Sequence, residues 1–162
     1  MHVRLFVLSL ASLLIAAGTV FGGGKKEEKL SVSFHLETEA TDNPKMIFPQ
    51  LANGKKRFFS RTPEISTKDL LSFTTFPSQD GADYGVVFRL KGSAANRFSA
   101  ITTANQGRWM VAQMNGRVID GVLIDKTVND GFIVIWKGVS LADVALLDEQ
   151  MPRTGAEEKK KK

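Results

Sequence analysis

At 162 residues, 43% of them apolar, the chain has the size and composition of one globular domain with tails. It contains no cysteine, which excludes disulfides, thiolate metal sites and cysteine nucleophiles together. Its formal charge of +5 is concentrated at the ends: setting aside Arg4 and residues 157–162 (four Lys against two Glu) leaves +2, with scattered basic residues, which argues against nucleic-acid binding.

Met1-His2-Val3-Arg4 gives a positive start, and 5–17 is an uninterrupted run of apolar and small residues. With the small residues around Val20-Phe21-Gly22, this reads as a secretory signal peptide over 1–22. An uncleaved anchor is the alternative, because 5–24 almost reaches the length of a membrane helix. The expectation is an exported protein, periplasmic or extracellular, with no membrane span after signal removal. Residues 23–29 read as a flexible charged linker, 30–153 as one domain, and 154–162 as a disordered Lys-rich tail.

From Leu30 the chain alternates, with Leu30, Val32, Phe34 and Leu36 in one phase, which predicts a half-buried strand. His35 falls in the opposite phase and is expected to be exposed. A second apolar run over 45–51 reaches Asn53-Gly54, a strong turn signal into 57–61, so a hairpin is predicted. Ser66 caps a short helix through Leu71, with Asp69 as its reciprocal partner. Strands are predicted at 72–76 and 84–90, around a polar loop.

Residues 93–106 read as a helix, with Ala94, Phe98 and Ile101 at helical spacing and Gly107 as its stop. Strands at 109–114 and 117–124 flank Asn115-Gly116, a type I′ signal. Asn129-Asp130-Gly131 turns into the strand 132–136. Ser140 then caps a last helix through about Glu149, with Asp143 completing a capping box, and Pro152 ends ordered structure. Short strands joined by tight turns, with two to three short helices, predict an α+β fold built mainly on antiparallel sheet.

The order of these elements resembles the head of the first periplasmic domain of SecD, a subunit of the protein-export machinery. The likeness is carried by FFSRTPEISTKDL (58–70), YGVVFRL (84–90), Phe98, Thr102, Asn105, Gly107, Asn115-Gly116, Gly131, Ile135 and VSLADVALL (139–147). Thr62-Pro63-Glu64 departs from the family's Glu-Pro order, and Asp120 and Val122 depart from its usual small polar residue and proline. The resemblance implies a domain that engages emerging preprotein. Its partners would be exported polypeptide or a translocon or envelope protein. The chain has none of the membrane helices through which the family conducts protons, so a complete motor is not implied.

Trp109, Phe132, Val134 and Trp136 fall at positions that are usually wetter in that family. Either the strand from Leu30 covers them, or they form an exposed face that binds polypeptide or a partner. They are the candidate protein-binding residues.

No catalytic, cofactor or metal site is expected. His35 is the only histidine after 1–22, and no G-x-S-x-G elbow presents a serine to it. Asp120, Asp125 and Asp130 recur at fivefold spacing and read as solvated turn and strand-end carboxylates. The run 125–131 lacks the alternating oxygen ligands of a calcium loop. An envelope hydrolase using carboxylates near Asp120 and Asp125 is the competing class, and a purely structural exported protein is a third.

Overall fold

The structure is a computed structural model that describes residues 29–156. The predicted signal peptide, nearly all of the linker and most of the Lys-rich tail lie outside the described residues. Among those described, no helix is long and apolar enough to cross a membrane.

Among the described residues, nine strands and two α-helices form an α+β fold. In chain order they are β1 (Val32–Thr38), β2 (Ile47–Ala52), β3 (Lys55–Ser60), β4 (Ile65–Ser66), β5 (Leu70–Pro77), β6 (Tyr84–Leu90), α1 (Gly92–Ala104), β7 (Trp109–Met114), β8 (Arg117–Leu123), β9 (Phe132–Val139) and α2 (Leu141–Gln150). One sheet has the order β2-β3-β1-β7-β8, with β4 pairing beside β3 on the same strand β1. The other is β5-β6-β9, and every strand pair is antiparallel.

Both predicted Asn-Gly turns close two-residue hairpins. Asn53 and Asn115 have φ of 50°, and the glycines after them 70° and 76°. Positive φ at both central residues is the type I′ geometry whose twist matches the strands it joins. The helix predicted from Ser66 shrinks to a single 3-10 turn, Thr67–Asp69, although its capping box forms as expected. The helix stops because Leu70 has already entered β5 and pairs with Leu90. Ser140 and Asp143 form the second capping box and start α2 as predicted. Backbone bonding continues past Pro152: Thr154 N–H donates to the Phe73 carbonyl at 2.8 Å.

The main core takes side chains from both sheets and both helices. Phe34 from β1, Phe73 from β5, Phe88 from β6, Phe98 from α1, Met110 from β7 and Leu147 from α2 are all buried in it. Period-two alternation puts Met110, Ala112 and Met114 on this face of β7 and sends Val111 to the other.

That other face is not open to water. The β2–β3 ribbon folds across it, and Ala52, Phe59 and Val111 form a second buried cluster with Phe48, Trp109 and Val118 packed around them. This corrects the expectation for His35, which is only 5% exposed. Its Nδ1–H donates to the Ser60 carbonyl at 2.8 Å. Because a carbonyl only accepts, Nε2 is left to accept from the Ser33 hydroxyl at 2.9 Å. The ring stands edge-on to Phe48 with centroids 5.4 Å apart. Burial lowers the imidazole pKa below its ordinary value, against the opposing pull of the Ser60 bond.

Candidate functional site

β8 ends the larger sheet and β9 ends the smaller one. They are consecutive strands joined by residues 124–131, yet no ladder pairs them among the described residues. Instead they pinch together at one end. The β7–β8 register slips between Ala112 and Gln113, leaving Ile119 as an extra residue in β8, a bulge. Gly138 packs against it with φ of +86°, where a Cβ would stand 2.8 Å from the Ile119 carbonyl oxygen. Only glycine fits this approach.

Asp120 clasps the pinch. Its Oδ2 accepts the Trp136 N–H across the gap at 2.7 Å, and Oδ1 accepts the Gly121 N–H at 2.9 Å. The residue predicted as a solvated carboxylate is therefore half-buried and fully engaged. The physical cause is strand parity: Asp120 stands opposite core-facing Ala112, beside a strand edge whose amides have no ladder to join.

Beyond the pinch a cleft of about 350 Å³ opens between the two edges. Phe34, Phe98 and Met110, all core residues, line it, together with Val122 and Val128. The bond from Leu90 N–H to the Gly131 carbonyl sets the phase of the β6–β9 ladder. By alternation, Phe132, Val134 and Trp136 turn their amides away from β6 and toward the cleft. Asp130 accepts the Phe132 N–H at 3.0 Å and Asp120 accepts that of Trp136, so Val134 between them presents its N–H and C=O. On β8 the bond from Ile124 N–H to the Arg108 carbonyl fixes the opposite phase, and Leu123 presents its own. Two unpaired strand edges thus border an apolar slot.

Phe132, Val134 and Trp136 border the same cleft, with their side chains on the face of β9 opposite the buried Ile133 and Ile135. Trp136 is 58% exposed, and Leu123 on the β8 edge 46%. The indole is held edge-to-face by Phe76, centroids 6.0 Å apart. Phe76 in turn lies over Gly85, where a Cβ would fall 2.2 Å from its ring. Trp136 is thus a positioned aromatic rather than a freely moving one.

Trp109 does not join them. It shares the parity of Val111, so it lies on the other face of the large sheet, beside Gly121 and under the β2–β3 ribbon. The Arg57 guanidinium sits 5.4 Å over its ring, and Glu37 bonds both Arg57 and the Trp109 N–H, at 2.7 and 2.8 Å. Of the four predicted binding residues, the structure brings three to one cleft and covers the fourth. The cover is the β2–β3 ribbon; the strand from Leu30 runs within the sheet, paired on both edges.

Asp120, Asp125 and Asp130 all border this cleft. Asp120 and Asp130 accept backbone amides, and no group of three His, Cys, Asp or Glu that could hold a metal occurs among the described residues.

No family profile matches the sequence, and no curated protein matches it. Solved structures do. A chain of SecDF, described as a membrane component that enhances protein export, superposes on 74% of this chain with a TM-score of 0.53 and 16% identity. The fold is SecD-like. SecDF in its super-membrane-facing form matches 72% of the chain with a TM-score of 0.51 and 18% identity. The protein spans 61% of the length of the first SecDF chain and 18% of the second. At these identities the likeness to SecDF is one of fold, and the function must be argued from the cleft itself.

The sequence singled out Phe132, Val134 and Trp136 as candidates, but not Asp120 as a clasp, nor Leu123, Phe76 or Gly138. Gly138 did carry a signal: an isolated glycine continuing a strand pattern marks a bulge or a close backbone approach.

Proposed function

We propose that this protein is an exported, non-enzymatic domain that binds extended polypeptide in connection with protein export. The observation that carries the reading is the strip Phe132-Val134-Trp136 beside an apolar slot between two unpaired sheet edges. A strand edge offers main-chain hydrogen bonds to any extended chain, and an adjoining apolar pocket rewards alternate side chains. The SecD-like fold supplies the context, because SecDF is described as enhancing protein export. The N-terminal run over 5–17 supplies the route out of the cytoplasm. The partner is exported polypeptide or a translocon component that presents an extended segment.

A hydrolase using Asp120 has less support, since both of its oxygens already accept backbone amides. The test is site-specific photocrosslinking in the native host from position 136, with position 141, somewhat more exposed on α2, as the control. Adducts to an arrested exported chain or to a translocon component from 136 and not from 141 support the reading. Equal adducts from both positions, or none, overturn it.

A further inference from the structure

Resting on that reading of the cleft, the geometry points to a narrower ligand class: we infer that the site takes an extended apolar segment with basic residues at one end, inserted as a strand between β8 and β9.

Three observations converge on this. The first is the backbone. Leu123 on β8 and Val134 on β9 turn N–H and C=O groups toward the same gap from opposite sides. A strand lying between them meets a ladder on each edge, which joins the two sheets into one.

The second is the alternation of side chains along such a strand. One phase points into the slot above Phe34, Phe98 and Met110, and the other lies on the side of Trp136 and Val134. Both phases therefore meet apolar side chains, one in the buried slot and the other beside the solvent-exposed Trp136.

The third is charge. Asp125 and Asp130 stand on the 124–131 connection that closes the wide end of the cleft, with Lys126 as the one basic residue in the lining. Asp125 has no ion-pair partner among the described residues. Opposite-sign charge on the ligand at that end is favoured, and carboxylates on it are repelled. The pinch at Asp120 and Gly138 sets the register by blocking the narrow end.

The probes are synthetic twelve-residue peptides of alternating Val, Leu and Ser with Lys-Lys at one end, and the same peptide ending in Glu-Glu. A third carries N-methyl groups on alternate amides of the Lys-Lys peptide. Binding to the full-length chain carrying Trp109→Phe is read from Trp136 fluorescence. The Lys-Lys peptide is expected to bind about fivefold more tightly than the Glu-Glu peptide at low salt, the sum of two exposed pairs. That preference narrows as salt is added. Asp125→Asn with Asp130→Asn is expected to remove the preference while leaving apolar binding, because the carboxamide oxygen placed at position 130 can still accept the Phe132 N–H. N-methylation is expected to abolish binding.

Equal affinity of the two charged peptides overturns the basic preference and leaves polypeptide binding standing. Undiminished binding of the N-methylated peptide overturns strand insertion. Failure of every peptide to bind overturns the proposed function as well, so the failures are distinguishable.

Discussion

Gly138→Ala isolates the contact that holds β8 against β9. The substitution adds one methyl group at a backbone φ of +86°. The left-handed backbone alone costs about 1 kcal/mol for alanine relative to glycine. The new Cβ also stands 2.8 Å from the Ile119 carbonyl oxygen, inside the 3.4 Å at which ordinary contact begins. Relieving it means shifting a bulged strand that Asp120 also holds, at an overpacking cost of about 1–3 kcal/mol. The total is roughly 2–4 kcal/mol. Gly116→Ala is the matched control, with φ of +76° and nothing within 4 Å of its Cβ, so only the backbone cost of about 1 kcal/mol remains. Urea unfolding of both variants measures the difference. With an m-value of about 1.5–2 kcal/mol/M, Gly138→Ala should unfold roughly 0.5–2 M earlier than Gly116→Ala. Midpoints within about 0.2 M of each other would show that the pinch carries no steric constraint.

Asp120→Ala removes a charge-assisted acceptor from the Trp136 amide and should cost about 1–3 kcal/mol. Hydrogen exchange at Trp136 should accelerate, whereas that at buried Ile135 should follow only the global change; an unchanged Trp136 rate contradicts the clasp. Because burial lowers the folded pKa of His35, the unfolded chain takes up a proton first as pH falls below about 6.5. This contribution is complete above that pH and is lost on acidification toward the folded pKa. The wild type should therefore lose more stability between pH 7.5 and 5.5 than His35→Gln, and parallel curves for the two would refute the buried neutral imidazole. Trp136→Ser should leave the unfolding midpoint within about 0.5 kcal/mol of wild type, since exposed substitutions usually do. The same change should remove a red-shifted, quencher-accessible emission, leaving the bluer emission of Trp109 under its ribbon. Equal quenching of both indoles would contradict the placement of Trp109.

Much of this molecule is local and therefore legible in the chain. Alternation in 30–36 and 110–114, two Asn-Gly turns and two Ser-x-x-Asp caps each depend on residues within a few positions of one another. They set strands, hairpins, helix starts and the α+β class. What could not be read locally was which faces meet. His35 was in the polar phase of its strand, and only the return of β2–β3 across that face buries it and gives it Ser60 as a partner, 25 residues away. Trp109 and Trp136 looked equivalent by composition. Parity on β7 put one beneath the ribbon, while position on the open edge of β9 left the other in solvent.

Asp120 shows the limit most directly. Its neighbours read as an ordinary strand, and nothing within reach in sequence says that Trp136, 16 residues on, will offer an unpaired amide. Local propensity and turn chemistry act through short-range sterics and hydrogen bonds, so the elements follow from the chain alone. The cleft exists because two sheets end side by side without pairing, and that arrangement comes from long-range packing between residues far apart in the chain.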